Sequence, residues 1–331
     1  MVGVGKARRT LVGALALLTV AVTGCGGDDS GDQTVALAQA DAAASPSMDA
    51  FPPAKGKSLR ELAGEATAGL EVAPATQNFT PGKNRFAFGL IDKNGQGAYA
   101  PTAVYVAQSP GSPASGPFPA PTDSLITDAA FQSRNAATEQ DPFASVYESE
   151  VDLPKAGPWA VLVLSEVGTQ KLVGATTQLE VKPSDSVPAP GDKAPVTDTD
   201  TLEEAGDITK IDTRVPPDSM HDTNLADVIG EKPVALLFAT PALCQSRVCG
   251  PVTDIAEQLK AEYGDQIEFI HQEVYVDNDP SKGIRPPLSD YNLKSEPWLF
   301  TIDADGNVAA RLEGSFGVNA FEDAIQQAIE Q

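Results

Sequence analysis

The segment Lys182-Pro-Ser-Asp-Ser-Val-Pro-Ala-Pro-Gly191 combines prolines and charge without any hydrophobic period, and the period of the chain changes across it. Before it the period is two. Phe86, Phe88 and Leu90 alternate with smaller residues, Asn94-Gly95 supplies a hairpin turn, and Val104 and Val106 alternate again. Residues 146–153, 159–164 and 172–181 read as further short strands separated by Gly- and Pro-containing turns. Strands at this spacing predict an all-β sandwich over residues 65–183, followed by a linker at 184–190. The Pro-rich stretch 109–122 is expected to be a long surface loop, since Pro cannot donate to a ladder. After Gly191 strands and helices alternate, so residues 191–331 are expected to form an α/β domain that folds as a cooperative unit by itself.

At the N-terminus, Lys6, Arg8 and Arg9 precede an apolar run over 11–22, which is too short to span a bilayer and reads as the core of a signal peptide, residues 1–24. The run ends in Val22-Thr23-Gly24-Cys25, which resembles the lipobox of bacterial lipoproteins. That resemblance implies lipidation of Cys25 and an extracytoplasmic chain held to the cell membrane by lipid. Residues 25–64 are rich in Gly, Ala, Asp, Ser and Pro and are expected to be a flexible tether, with a short helix near 58–62.

Removing residues 1–24 takes away three basic residues and no acidic one, so the formal charge of −23 for the 331-residue chain becomes −26. This acidity argues against a nucleic-acid partner. The acids are spread along the chain and read as a solvated surface.

With Cys25 given to the lipid, Cys244 and Cys249 are the remaining cysteines, in a compartment where disulfides persist. They follow the unbroken apolar run Val234-Ala-Leu-Leu-Phe238, suited to a strand buried on both faces. Residues 246–263 show helical spacing through Val252, Ile255, Leu259 and Tyr263, and 267–276 reads as a second strand. Trp298 to Ile302, the Asp305-Gly306 turn and Val308 to Leu312 read as a hairpin. Asn319 and Glu322 are placed to cap a last helix whose apolar face is Phe321, Ile325 and Ile329.

The order β-α-β, hairpin, α, the Phe-Ala-Thr-Pro run into the cysteines and Ser295-Glu296-Pro297 before the hairpin together resemble the thioredoxin-like superfamily over residues 190–331. Gly191-Asp-Lys-Ala-Pro195 is similar to the opening of its extracytoplasmic redoxin members. The resemblance implies that Pro297 is cis and packs against the reactive cysteine, making Cys244, Cys249 and Pro297 the candidate catalytic residues. The first domain resembles immunoglobulin-like extracytoplasmic domains in the turn Leu153-Pro-Lys-Ala-Gly-Pro-Trp159; it has no His and no Cys, and its expected role is a spacer or binding module.

Thioredoxins use Cys-x-x-Cys, whereas this chain has Cys244-Gln-Ser-Arg-Val-Cys249. Five helical steps would give ~7.5 Å of rise and place the Cα atoms beyond the ~4.4–6.8 Å that a disulfide tolerates, so Cys244 is expected in the loop before the helix unless the first turn opens. A thiol at a helix start with Arg247 nearby is expected to have a lowered pKa. The buried carboxylate that serves thioredoxin as proton acceptor falls here near Phe238.

Three functions follow from these residues. The leading one is thiol–disulfide exchange with exported protein thiols or disulfides through a Cys244–Cys249 pair, without cofactor or metal. The second is a thioredoxin-fold binding module with a structural disulfide. The third is a thiol peroxidase, since Cys-x4-Cys-Gly is similar to Q-type, bacterioferritin-comigratory peroxiredoxins; those place Pro and Thr before the attacking cysteine where this chain has Leu237 and Pro241. Copper delivery, as in cytochrome-oxidase assembly proteins of this fold, needs a His close before the hairpin strand. His221 and His271 stand elsewhere: His271 is expected as a sheet or core residue, and His221, in the polar run Asp218-Ser-Met-His-Asp-Thr223, as a solvated one.

Overall fold

The computed structural model describes residues 43–330 apart from 140, 142–143 and 168–170. The expected signal peptide, residues 1–24, and Cys25 lie outside the described residues. Among the described residues no helix is long and apolar enough to cross a membrane.

The first unit is a two-sheet β-sandwich. Strands β1 (Thr67–Ala68), β2 (Leu70–Pro74), β3 (Gly82–Asp92), β4 (Thr102–Ala107), β5 (Ser115–Pro119), β6 (Thr122–Ser124), β7 (Ser145–Leu153), β8 (Gly157–Val167) and β9 (Lys171–Val181) form one sheet in the order β1-β9-β8-β4-β5 and another in the order β2-β3-β7-β6. The period of two decides which side chains meet. Phe86, Phe88 and Leu90 of β3 pack with Val104 and Val106 of β4 and Val161 and Val163 of β8 in a core shared by both sheets. Phe88 stacks on Phe86 at 4.8 Å and on Tyr147 at 5.3 Å between ring centroids.

Two stretches differ from expectation. The 109–122 stretch is not one long loop: β5 pairs antiparallel with β4, matching Val104 to Phe118. It can do so because β5 is an edge strand, where a proline costs no ladder bond. Gly116 makes the approach, with φ +123°, and a Cβ there would lie 2.7 Å from the Val104 carbonyl oxygen. The second stretch is the N-terminal tether, of which residues 48–63 are packed. Phe51, Ala54, Leu59 and Leu62 cover the outward-facing Tyr105, Leu162 and Leu164 of β4 and β8. A capping box between Ser58 and Glu61 starts helix α1 (Leu59–Ala63).

The second unit is thioredoxin-like. Its sheet runs β11-β10-β12-β13, with β10 (Val234–Phe238) parallel to β11 (Glu268–Gln272) and antiparallel to β12 (Trp298–Ile302), which pairs antiparallel with β13 (Val308–Glu313). Helix α2 (Cys249–Tyr263) joins β10 to β11, and α3 (Val318–Ile329) follows β13. Ala235 and Leu237 pack with Val252, Ile255, Leu259, Phe321 and Ile325 on one side of the sheet. Val234, Leu236 and Phe238 pack with Ile270, Tyr291, Trp298 and Phe300 on the other. Every residue of β10 is therefore buried, which is what its unbroken apolar run requires.

The units are not independent. Ala87, Leu125, Ala137 and Val146 of the sandwich belong to the same core as α2 and α3. Residue Asn319 does not cap α3; the Asp123 carboxylate of the sandwich instead accepts from the N–H groups of Asn319 (3.1 Å) and Ala320 (2.9 Å). Arg85 donates to the carbonyls of Glu313 and Ser315, and Asp254, paired with Arg214 at 2.8 Å, accepts from the Ser133 N–H. Residues 190–331 therefore share part of their buried core with the sandwich.

Candidate active site

Strand β10 delivers the chain through Ala239, Thr240 and Pro241 to Cys244, which lies in the turn before α2, with its N–H donating to the Thr240 carbonyl at 3.0 Å. The helix begins at Cys249 rather than at 246, because Arg247 takes a left-handed φ of +62° that no α-helix accepts. Cys249 is thus the first helical residue and fully buried, while Cys244, in the loop, is half-buried and packs at the edge of the core.

This offset makes the two thiols unlike. The Cys249 thiol donates to the Cys244 sulfur, the Ser246 hydroxyl lies 3.2 Å from it, and the Cys249 N–H at the helix start adds a third donor. Three donors stabilise a thiolate, and they hold the Cys244 pKa at about 6 against burial and the negative charge of Glu296. Cys249 goes the other way: burial, then the neighbouring Cys244, push its pKa well above that of an ordinary thiol. Arg247 is exposed and lines the neighbouring cavity; the lowering of Cys244 comes from the three donors.

Pro297 is buried, follows a cis peptide bond and accepts at its carbonyl from the Gly314 N–H at 2.9 Å, which sets the start of β12. Glu296, just before it, is half-buried, and burial raises its pKa. Its charge reaches both cysteines and also Tyr275. The carboxylate facing the thiol pair thus comes from the turn before β12 and not from β10, where Phe238 is a core residue.

Beside the cysteine loop is a cavity of about 800 Å³ between the two units. Ser246, Arg247 and Val248 of the loop, Glu296 and Ser315 of the second unit, and Arg134 and Asp141 of the sandwich line it. The sandwich also braces the loop directly, since Asn135 Nδ2 donates to the Pro241 carbonyl at 2.8 Å. Its excursion between β6 and β7 therefore contributes to the site, although no residue type there signals chemistry in the sequence.

His271 is a buried residue of β11, and His221 is buried as well, at 2% exposure, which corrects its expected place in a solvated loop. The polar neighbours of His221 point inward: Asp212 and Asp218 lie with both histidines in one buried group beneath the cysteine loop. Neither histidine is part of the thiol pair's surroundings.

No family model and no curated protein matches the chain. Among solved structures it is similar to a thiol:disulfide interchange protein DsbE from Chlorobium tepidum at 19% identity, with a TM-score of 0.31, over 43% of this chain and 99% of that one. A thioredoxin-family thiol:disulfide interchange protein from Chlorobium tepidum TLS matches at 15% identity and a TM-score of 0.30, over 44% of this chain and 99% of that one. A thioredoxin-like superfamily protein matches at 14% identity and a TM-score of 0.29, over 41% of this chain and 97% of that one.

Proposed function

We propose that this chain is a membrane-anchored, extracytoplasmic thiol–disulfide oxidoreductase that exchanges disulfides with exported proteins through Cys244 and Cys249. The observation that carries the reading is the asymmetry of the pair: a half-buried sulfur with a pKa of about 6 beside a fully buried thiol whose pKa is raised. A purely structural pair needs no such difference. An exchanging pair uses both halves of it, one to attack and one to wait.

In the reducing direction, the Cys244 thiolate attacks one sulfur of a substrate disulfide. A Cys244–substrate disulfide forms, the substrate S–S bond breaks, and the other substrate sulfur leaves as a thiolate. Cys249 then gives up its proton and attacks Cys244 Sγ, which forms the Cys244–Cys249 disulfide and releases the second substrate thiolate. Glu296 is the carboxylate suited to take that proton, because its raised pKa brings it toward that of its task. A dithiol donor returns the pair to the reduced state, and the oxidising direction is the same sequence reversed. The inter-unit cavity supports a protein substrate, since Ser246 and Arg247 of the cysteine loop line it together with Arg134, Asp141 and Glu296.

Cys249→Ser tests the reading, because it removes the second step and should leave exported proteins trapped on Cys244 as mixed disulfides. A variant that alkylates normally at Cys244 and traps nothing would overturn exchange. A pair potential below about −300 mV, instead of between about −270 and −120 mV, would favour a structural disulfide. The anchor is tested separately by Cys25→Ser, which should move the chain from the membrane to the soluble fraction.

A further inference from the structure

Beneath the cysteine loop, Asp212, Asp218, His221 and His271 bring one ligand atom each to within 4.8 Å of one another, and all four residues are buried. We propose that these four side chains form a closed binding site for a divalent metal of zinc-like preference, separate from the thiol pair.

The distances fit. Tetrahedral ligands at ~2.0–2.1 Å from zinc stand about 3.4 Å apart. His221 Nε2 is 3.3 Å from Asp218 Oδ1 and 3.8 Å from Asp212 Oδ2, near that spacing, while His271 Nδ1 makes a 2.7 Å hydrogen bond to the other Asp218 oxygen, which a bound metal would replace. Two neutral imidazoles and two carboxylates around a dication sum to zero, which suits a site closed off from water. Mixed imidazole and carboxylate donors favour zinc over calcium or magnesium, which take oxygen, and over copper(I), which takes sulfur.

The surroundings are those of ligands held from behind. His271 Nε2 lies 3.2 Å from the Ala239 carbonyl. A carbonyl only accepts, so Nε2 carries the proton and Nδ1 turns to the group, the arrangement that orients metal-binding histidines. The carboxylates are fixed in the same way: Asp212 accepts from the N–H groups of Arg214 and Asp218, and Asp218 accepts from that of Met220.

His221 is the independent observation. At 2% exposure it has no aligned hydrogen bond at either ring nitrogen, and it points one of them at two carboxylates. A buried imidazole left so is costly unless something binds it. A metal would tie the loop over 212–221 to β11, and through the Ala239 carbonyl to the base of the cysteine loop. Its role there is to hold that base rigid, since four protein ligands leave no open position for substrate.

The test uses the full chain, stripped with a chelator and titrated with Zn²⁺. One equivalent should bind and raise the melting temperature by roughly 5 °C. Co²⁺ should give the intense visible bands of tetrahedral coordination without thiolate charge transfer, and the spectrum should persist in Cys244→Ser/Cys249→Ser. His221→Ala should weaken zinc binding by about 100-fold or more. Should that variant fail to fold, the wild-type cobalt spectrum decides alone. Absence of stoichiometric binding, a thiolate signature lost with the cysteines, or undiminished binding in a folded His221→Ala would each overturn the site. None of these outcomes bears on exchange at Cys244, which the trapping experiment reads.

Discussion

The thiol and the backbone N–H of Cys249 both point at the sulfur of Cys244, so the first residue of α2 stabilises a thiolate that sits outside the helix. The five-residue spacing is what allows this. In a Cys-x-x-Cys helix start the outer cysteine is carried within the first turn, whereas here the turn over 244–248 swings it clear and leaves the helix N-terminus aimed back at it.

The first prediction is a pH profile. A thiol whose folded pKa lies below the ordinary ~8.5 is already thiolate at neutral pH, so alkylation of Cys244 by iodoacetamide should rise through about pH 6 and be flat above pH 7.5. Cys249, buried with a raised pKa, should stay unlabelled until the chain unfolds. Cys249→Ala removes the largest stabilising donor and should move the profile upward by a unit or more, roughly. Equal labelling of both thiols, or a midpoint above pH 8, would contradict the asymmetry. Mass spectrometry of the labelled peptides separates the two sites.

A second prediction concerns Glu296. Its negative charge raises the pKa of both cysteines, so Glu296→Gln should shift the alkylation midpoint of Cys244 downward by roughly half a unit. Its proposed part as proton acceptor predicts something different for the second step. Resolution of a preformed Cys244 mixed disulfide by Cys249 should slow by about 10-fold or more and lose its pH dependence near neutrality, because no carboxylate then takes the Cys249 proton. Stopped-flow release of a chromogenic thiol from Cys244 measures that step. A variant with the shifted midpoint and an unchanged resolution rate would leave Glu296 as a charge only.

What the sequence makes legible here is what period and run length encode. The alternation at Phe86, Phe88 and Leu90 and the unbroken run at Val234-Ala-Leu-Leu-Phe238 each point to a strand; the second has the burial its run implies, whereas residues 86–90 are buried on both faces because Ala87 packs against the second unit. If the two cysteines are to pair, their spacing calls either for a loop position of Cys244 or for an opening first turn, and the structure has Cys244 in the loop. What stays hidden is set by partners distant in sequence. Asp123 replaces a local cap on α3 from 196 residues away, and Phe51 and Leu62 cover a sheet face from within a stretch whose composition reads as tether. His221 is hidden for a related reason: Asp212 and Asp218 look like solvated charge, yet they turn inward because backbone N–H groups of their own loop satisfy them. Two acids, Asp212 and Asp218, spaced ahead of one histidine are the signal that could have pointed to it.

The last prediction uses a glycine whose substitution has opposite signs in the two accounts of how the units are related. Gly250 lies in the first turn of α2 with an ordinary helical backbone. In a helix free of neighbours, Gly250→Ala should stabilise by roughly 0.5–1 kcal/mol, since alanine loses less backbone freedom on folding. In this structure a Cβ at 250 would lie 2.4 Å from the Asn135 carbonyl oxygen of the sandwich, which is backbone and cannot swing aside. The same Asn135 donates to the Pro241 carbonyl, so the loop carrying Cys244 is pushed as well. Gly250→Ala in the full chain should therefore destabilise by about 1–3 kcal/mol, the range of an overpacked contact, and lower a single shared melting transition by a few degrees. The alkylation midpoint of Cys244 should rise with it, because the N–H of Cys249 moves with residue 250. A higher melting temperature, or two transitions of which only one moves, would mean that α2 does not rest on the sandwich.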